Sequence, residues 1–185
     1  MRFSLLDRIV ELKPGVSITA SKVLSPDEQY LKDHFPRFPV MPGVLMLECM
    51  YQASSWLIRQ TEGFTHSAVL LKEARNVKYS DFVIPGKELV VTAEILKQDA
   101  STTTLKAQGT IDGNVAVSAR LVLERFNIGD RMPTRTNVDP YASNAFRQVF
   151  KGLIKPAPAT TVHMIDPPHS GVSAKLELPH TAVTR

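Results

Sequence analysis

The stretch that decides the fold is DHFPRFPVMPGVLMLE, residues 33–48, in which a histidine and three prolines lead into an apolar run. Each proline fixes its own φ angle and keeps the preceding residue out of the helical region. His34 is therefore predicted to sit on a stiff, extended loop. Pro42 suits the first position of a helix, where its missing N–H costs nothing. The loop is thus expected to lead directly into a helix that begins at Pro42.

The start of this helix has the composition of an acid–base site. The N–H groups of Gly43, Val44 and Leu45 would lack partners within the helix, and a helix N-terminus favours negative charge. Gly43 has no Cβ, so a ligand could approach its backbone closely. With His34 as a base and Glu48 as an acid, the stretch predicts proton-transfer chemistry beside an oxyanion hole.

The helix that follows the loop is predicted to be buried. From Val44 to about Arg59 the sequence is apolar nearly all round, which is typical of a helix enclosed in a core. Glu48 and Gln52 are polar exceptions four residues apart, so we expect them to share one face and to hydrogen-bond. Cys49 is expected to be a small buried hydrophobe, because no neighbour in sequence would activate it as a nucleophile.

Alternating segments on both sides of the helix predict strands. Residues 5–12 alternate weakly and residues 16–24 more clearly, with Pro14-Gly15 as a turn between them. Three or four strands are expected after the helix, in segments 68–79, 87–96, 102–111 and 115–126. This order predicts an α+β domain in which a curved antiparallel sheet wraps a long buried central helix.

The composition changes after Phe126, and seven of the 13 prolines lie beyond residue 128. We therefore expect a domain over residues 1–128 and a C-terminal extension over residues 129–185. In that extension Asp139 and Pro140 suit the N-cap and first turn of a helix, and an apolar stripe predicts a helix over about residues 140–155. The helix is expected to cover a sheet face or the entrance to the site, and the remainder to be a flexible tail.

Composition and charge exclude several classes of function. The formal net charge is +4, but residues 1–127 carry 15 Lys and Arg against 14 Asp and Glu, so a nucleic-acid partner is not expected. No apolar run is long enough to span a membrane, and the N-terminus is charged too early for a secretory signal. A single cysteine rules out an intrachain disulfide and favours a cytoplasmic location. The histidines show no metal-ligand spacing, so a metal site is not expected.

The loop and helix together resemble the active-site signature of the 3-hydroxyacyl-[acyl-carrier-protein] dehydratases. The similar residues are His34-Phe35-Pro36, the segment 38–45, Glu48, Gln52 and Ala53, with residues 6–15 similar to the family's first strand and turn. The likeness covers about residues 4–127 and implies the hot-dog fold. It also implies a homodimer or a dimer-based higher oligomer, with each site combining the His34 loop of one subunit and Glu48 of the other. The glutamate implies the dehydratase-only branch, which does not isomerise the double bond.

This resemblance implies dehydration of 3-hydroxyacyl thioesters on acyl carrier protein to trans-2-enoyl thioesters, in fatty-acid or related lipid or polyketide biosynthesis. His34 would act as the base, and protonated Glu48 as the acid for the leaving hydroxyl, since apolar surroundings favour a neutral carboxyl group. Gly43 and Val44 would bind the thioester oxygen, and Gln52 would orient Glu48. No metal or organic cofactor is implied, because phosphopantetheine carries the substrate.

Two positions depart from the family pattern and keep other functions open. Asp33 and Arg37 stand where the family usually has glycine, and both would add bulk and charge at the entrance to the site. Arg37 would either meet the phosphopantetheine phosphate or narrow the entrance. The alternatives are a hot-dog acyl thioesterase, which the His-Phe-Pro loop argues against, and a non-catalytic subunit that binds acyl chains or a carrier protein.

Overall fold

The computed structural model describes residues 4–35 and 37–154. In chain order the strands are β1 (Arg8–Lys13), β2 (Ser17–Val23), β3 (Ala68–Tyr79), β4 (Glu88–Gln98), β5 (Thr102–Ile111) and β6 (Asn114–Phe126). The α-helices are α1 (Gly43–Thr61), α2 (Ile128–Arg131) and α3 (Val138–Leu153), and short 3-10 helices cover Gln29–Lys32 and Pro133–Arg135. Four strands, rather than three, follow α1. None of the helices within the described residues is long and apolar enough to cross a membrane.

The six strands form one antiparallel sheet in the order β1-β2-β4-β5-β6-β3. β3 pairs with β6 instead of its sequence neighbour β4, so β1 and β3 form the two edges of an open sheet. Register irregularities occur in β1–β2, β3–β6, β4–β5 and β5–β6, and such bulges bend and twist a sheet. The sheet packs around α1, which contacts β2 through β6. The predicted α+β arrangement of a curved sheet around a central helix is therefore confirmed.

Burial of α1 against this sheet makes up most of the core. The buried residues of α1 are Met46, Cys49, Met50, Ala53, Ser54, Ser55, Trp56, Leu57, Ile58 and Arg59. Inward residues of the strands meet them at every second position, as in Ile18, Ala20, Leu89, Val91, Ala93, Leu105, Ala107, Leu121 and Leu123. Full burial of one large aliphatic side chain contributes about 1.5–3 kcal/mol. One side of the helix escapes the sheet, and there Glu48, Tyr51 and Gln52 are only half-buried.

The C-terminal helix packs on α1 through aromatic side chains. The Phe150 ring lies 5.9 Å from the ring of Trp56 and 5.4 Å from that of Phe64, measured between centroids. The Phe146 ring lies 6.0 Å from Trp56, and the Arg59 guanidinium lies 3.7 Å above Phe146. The aromatic contacts of α3 are thus with α1 and the turn after it, and the helix also contacts β1. That α3 covers a sheet face or the entrance to the site stays a prediction. The tail predicted after this helix lies outside the described residues.

Asp139 has a different role from the one that the sequence suggested. The N-cap of α3 is Asn137, and the helix begins at Val138, two residues before the predicted start. The Asp139 carboxylate instead accepts hydrogen bonds from Ser67 Oγ at 2.5 Å, from Ile128 N at 2.7 Å and from Gly129 N at 3.0 Å. The N-cap prediction was wrong because this side chain turns away from its own helix. Asp139 thereby links α3, the start of α2 and the start of β3.

These hydrogen bonds predict acid-sensitive docking of α3. The bond from Ser67, with those from Gly129 and Ile128, holds the pKa of Asp139 below its ordinary value. A carboxyl group whose pKa is lower in the folded protein than in the unfolded chain stabilises the fold at pH values above the unfolded-state pKa. This stabilisation is lost as the pH falls through the folded-state pKa. We expect Asp139→Ala to lower the melting temperature at neutral pH and to flatten its decline at acidic pH.

The measurement is thermal unfolding against pH, followed by the fluorescence of Trp56, which is the only tryptophan of the chain and contacts α3. Asp130→Ala is the matched control, because that carboxylate makes one long hydrogen bond, from Asn127 N at 3.3 Å. Equal pH profiles for Asp139→Ala and the wild type would contradict the expectation.

Candidate active site

The loop before α1 holds the imidazole of His34 in one orientation. His34 Nδ1 lies 3.1 Å from the carbonyl oxygen of buried Val40, and the His34 backbone N–H donates to Tyr30 O at 3.0 Å. A carbonyl oxygen can only accept, so this hydrogen bond requires the proton to be on Nδ1. The neutral imidazole then carries its free lone pair on Nε2, which is the form needed for a base.

Further backbone contacts fix the loop. Phe35 adopts a positive φ of 51°, Phe38 N donates to Phe35 O at 2.8 Å, and Met41 N donates to Val83 O at 2.9 Å. Asp33 and Arg37 are exposed, and neither forms an ion pair with another residue in the described ranges. Their charges are therefore available at the surface of the loop.

The helix start differs by one residue from the prediction. Pro42 is the N-cap with an extended ψ of 134°, and Gly43 is the first helical residue. The carbonyl of Pro42 accepts from Leu45 N at 2.9 Å, so the prediction that the Leu45 N–H lacks a partner was wrong. The N–H groups of Gly43 and Val44 have no acceptor within the described part of the chain. The candidate oxyanion donors are thus these two groups.

Gly43 is required by its neighbour rather than by its backbone angles. A Cβ at this position would lie 3.0 Å from Cε1 and 3.2 Å from Cδ1 of the Tyr79 ring. Tyr79, at the end of β3, thus covers the Gly43 backbone on one side. No feature of the sequence connects these two residues, which the fold alone brings together.

On the next turns of α1, Gln52 holds Glu48 in place. Gln52 Nε2 donates to Glu48 Oε1 at 2.9 Å, as the four-residue spacing predicted. Gln52 Oε1 accepts from the backbone N–H of Leu5, also at 2.9 Å. Because a backbone N–H can bond only the amide oxygen, the Leu5 contact fixes which end of the Gln52 amide faces Glu48.

Glu48 and Gln52 line a largely apolar cavity of about 340 Å³. Its other lining residues are Ser4, Tyr51, Ser55, Trp56, Arg59, Val69, Leu70, Phe146 and Val149. His34, Gly43 and Val44 are not among them. Within the described residues of one chain, the base candidate and the acid candidate are therefore not brought to the same cavity.

Tyr51 and Arg59 also line the cavity, and neither was among the predicted site residues. Tyr51 donates its hydroxyl to Val69 O at 2.8 Å, and burial raises its pKa. Arg59 is buried, donates from Nη1 to His66 O at 3.1 Å, and has its pKa lowered to about 10 by burial. Helical periodicity could have indicated Arg59, because it follows Glu48 by eleven residues and therefore lies on the same face of α1. Cys49, by contrast, is fully buried, and desolvation raises its thiol pKa to about 12, as expected of a structural cysteine.

Comparison with known proteins identifies the family of this chain. The sequence profile of the FabA-like domain matches residues 1–120. The chain belongs to the FabA-like family. A 3-hydroxyacyl-[acyl-carrier-protein] dehydratase FabZ of Levilactobacillus brevis is 39% identical over 116 residues, which cover 63% of this chain and 78% of that protein. The FabZ of Ruminiclostridium cellulolyticum is 33% identical, over 64% of this chain and 84% of that protein. The resemblance to this dehydratase family is thus confirmed.

Solved structures of hot-dog proteins share the fold of this FabA-like chain. The dehydratase heterocomplex ApeI:P of Xenorhabdus doucetiae has a TM-score of 0.59 at 20% identity, covering 71% of this chain and 89% of that one. The protein smu.793 of Streptococcus mutans, bound to acetyl CoA, has a TM-score of 0.53 at 12% identity, covering 69% and 93%. At such identities the likeness concerns the fold alone, and it confirms the hot-dog fold.

The contact between Gly43 and Tyr79 predicts a specific energetic coupling. Gly43→Ala should destabilise the protein by about 1 kcal/mol, because the new Cβ overpacks the Tyr79 ring. In a Tyr79→Ala background the same change should cost nothing or be slightly stabilising, since alanine favours helices over glycine. Urea unfolding of the four proteins of this double-mutant cycle measures the coupling. An equal cost of Gly43→Ala in both backgrounds would show that Tyr79 is not the reason for the glycine.

Proposed function

We propose that this chain dehydrates 3-hydroxyacyl thioesters carried on acyl carrier protein to trans-2-enoyl thioesters, in fatty-acid or related lipid or polyketide biosynthesis. The observation that carries the proposal is the hydrogen bond between His34 Nδ1 and Val40 O, because an imidazole that donates from Nδ1 has, in its neutral form, the Nε2 lone pair available as the base. The FabZ names of relatives up to 39% identical support the same reaction.

The reaction needs one base, one acid and one oxyanion site. His34 Nε2 removes a proton from C2, and the electron pair moves into the thioester carbonyl. The N–H groups of Gly43 and Val44 stabilise the resulting oxyanion, and one such donor contributes about 3 kcal/mol. Protonated Glu48 donates its proton to the C3 hydroxyl, which leaves as water while the C2–C3 double bond forms. Return of a proton from His34 to Glu48 through solvent completes the cycle.

The active species in this proposal is a homodimer or a dimer-based oligomer. Each site combines His34 of one subunit with Glu48 of the other. Two observations support this assembly: His34 does not line the cavity beside Glu48, and β3 forms an open sheet edge with an exposed Leu70. An exposed strand edge is a ready pairing surface for a second chain.

The remaining parts of the proposal concern the carrier and the location. Phosphopantetheine delivers the acyl chain, and the exposed guanidinium of Arg37 is a candidate partner for its phosphate, with Asp33 beside it at the entrance. The catalytic groups named above need no metal or organic cofactor for proton transfer. A cytoplasmic location accords with acyl carrier protein as the partner.

Product analysis by mass spectrometry tests the reaction. The wild type, given 3-hydroxyacyl-[acyl-carrier-protein], should form a product lighter by one water. His34→Ala and Glu48→Gln should each lower the rate by about 10²–10⁴-fold, since each removes one proton-transfer group. Glu94→Gln, which changes an exposed carboxylate on β4, is the matched control and should keep the wild-type rate. Free acid as the product would favour the thioesterase alternative, and no turnover of any substrate would favour the binding subunit.

Complementation tests whether the site is shared between subunits. A heterodimer of His34→Ala and Glu48→Gln chains would keep one site with both groups intact. Random mixing of the two inactive variants should therefore restore about one quarter of the wild-type activity, because half of the dimers are mixed and each has one working site. The measurement is the dehydration rate after co-refolding or co-expression. Activity no higher than that of the single variants would place both groups of a site in the same chain.

A further inference from the structure

The cavity beside Glu48 is elongated along α1. Glu48, Gln52, Ser55 and Arg59 all line it, and their spacing of four, three and four residues keeps them on one helix face. At a rise of 1.5 Å per residue, this floor extends about 16 Å along the helix axis. Glu48 lies at one end, and the buried guanidinium of Arg59 lies at the other.

The wall at the Arg59 end comes from the C-terminal extension. Phe146 and Val149 of α3 line the cavity, and Phe146 is held between Trp56 and Arg59 of α1. Both α3 residues lie beyond residues 1–120, which match the FabA-like domain. The cavity is therefore lined both by the acid of the shared domain and by an element outside that match.

We propose that α3 sets the upper limit on the length of the acyl chain, with Phe146 and Val149 as specificity-determining residues. This inference rests on the proposed function, because it takes the cavity beside Glu48 as the site of the acyl chain. An extended chain of single bonds advances about 1.2 Å per bond, so the floor accommodates about a dozen carbon atoms. A cavity of about 340 Å³ is also near the small end of the usual range for ligand pockets.

Arg59 lies where the floor of the cavity meets α3, because it lines the cavity and contacts the ring of Phe146. Its guanidinium is buried, and it forms no ion pair with any other residue in the described ranges. A longer apolar chain would have to displace the Phe146 ring from this cation or press a methyl group against a charge that has already lost most of its water. Both changes are unfavourable, because a buried charge is costly unless its remaining contacts are kept.

Turnover across a series of chain lengths tests the proposal. The substrates are 3-hydroxyacyl-[acyl-carrier-protein] species from butanoyl to octadecanoyl length, with kcat/KM measured for each. Phe146→Ala should increase kcat/KM by about tenfold for acyl chains just longer than the wild-type limit. One or two methylene groups change discrimination in an apolar pocket by about this factor. Val149→Phe should shift the limit towards shorter chains. Tyr141→Ala, which removes an exposed aromatic ring from the same helix, is the matched control and should leave the profile unchanged.

A binding series separates this inference from the proposed function. Trp56 is the only tryptophan and lines the cavity, so its emission reports occupation by an apolar chain. Saturated acyl-pantetheines, which cannot be dehydrated, serve as the probe. Their affinity should increase by about fourfold for each added methylene group up to the limit and then stop increasing. Phe146→Ala should extend the rise to longer chains, and Val149→Phe should end it earlier.

The outcomes distinguish the two claims. Limits that move in opposite directions for Phe146→Ala and Val149→Phe support the role of α3, in turnover or, if no substrate is dehydrated, in binding alone. If the limits move in binding but no substrate is dehydrated, the proposed function is wrong, and the role of α3 in limiting the acyl-chain length is still supported. Profiles that coincide for the wild type, both variants and Tyr141→Ala would overturn the inference. If Phe146→Ala does not fold, Val149→Phe decides the matter, because Val149 is 44% exposed and tolerates a larger side chain.

Discussion

The packing of α1 across five strands is the constraint on which the remaining structure depends. The helix has to lie in the curve of the sheet, because its middle and C-terminal residues are apolar and have no other place to be buried. That placement determines where both ends point. It presents the N–H groups of Gly43 and Val44 at the end of the stiff loop, and it turns Glu48 and Gln52 towards the side that the sheet leaves uncovered. The positions of the candidate catalytic groups are thus a consequence of core packing.

A partly buried polar cluster connects the other end of α1 to the sheet. Glu62, directly after the helix, lies 2.5 Å from Arg125 Nε of β6 and 2.9 Å from His66 Nδ1. Arg125 also donates to Thr103 Oγ1 at 2.8 Å and to the carbonyl of Asp99. Replacing a buried ion pair with apolar residues often leaves stability unchanged, so the significance of the cluster is geometric. Arg59 and Phe64, on either side of this helix end, both contact α3.

The sequence was sufficient for features that depend on local pattern. The strands, the central helix and the hydrogen bond between Glu48 and Gln52 follow from periodicity, and the histidine loop follows from its prolines. Errors arose where the local pattern leaves a hydrogen-bond partner or a backbone angle undetermined. Asp139 bonds Ser67 and the start of α2 instead of capping its own helix, and Pro42 is extended, which moves the helix start by one residue. The contact of Tyr79 with Gly43, the docking of α3 and the tautomer of His34 depend on groups distant in sequence, so no local pattern indicates them.

A helix outside the matched domain can adjust the candidate acyl cavity with little change to the core. The core around α1 is close-packed, and changing its side chains would create cavities or strain that cost several kcal/mol. The wall formed by α3 has fewer constraints, because Val149 is partly exposed and Phe146 contacts mainly Trp56 and Arg59. Two other anchors of α3, Asp139 and the ring of Phe150, are not among the residues that line the cavity. A substitution at Val149 can therefore change the cavity without disturbing the core that positions Glu48, and a substitution at Phe146 leaves Asp139 and Phe150 to hold the helix.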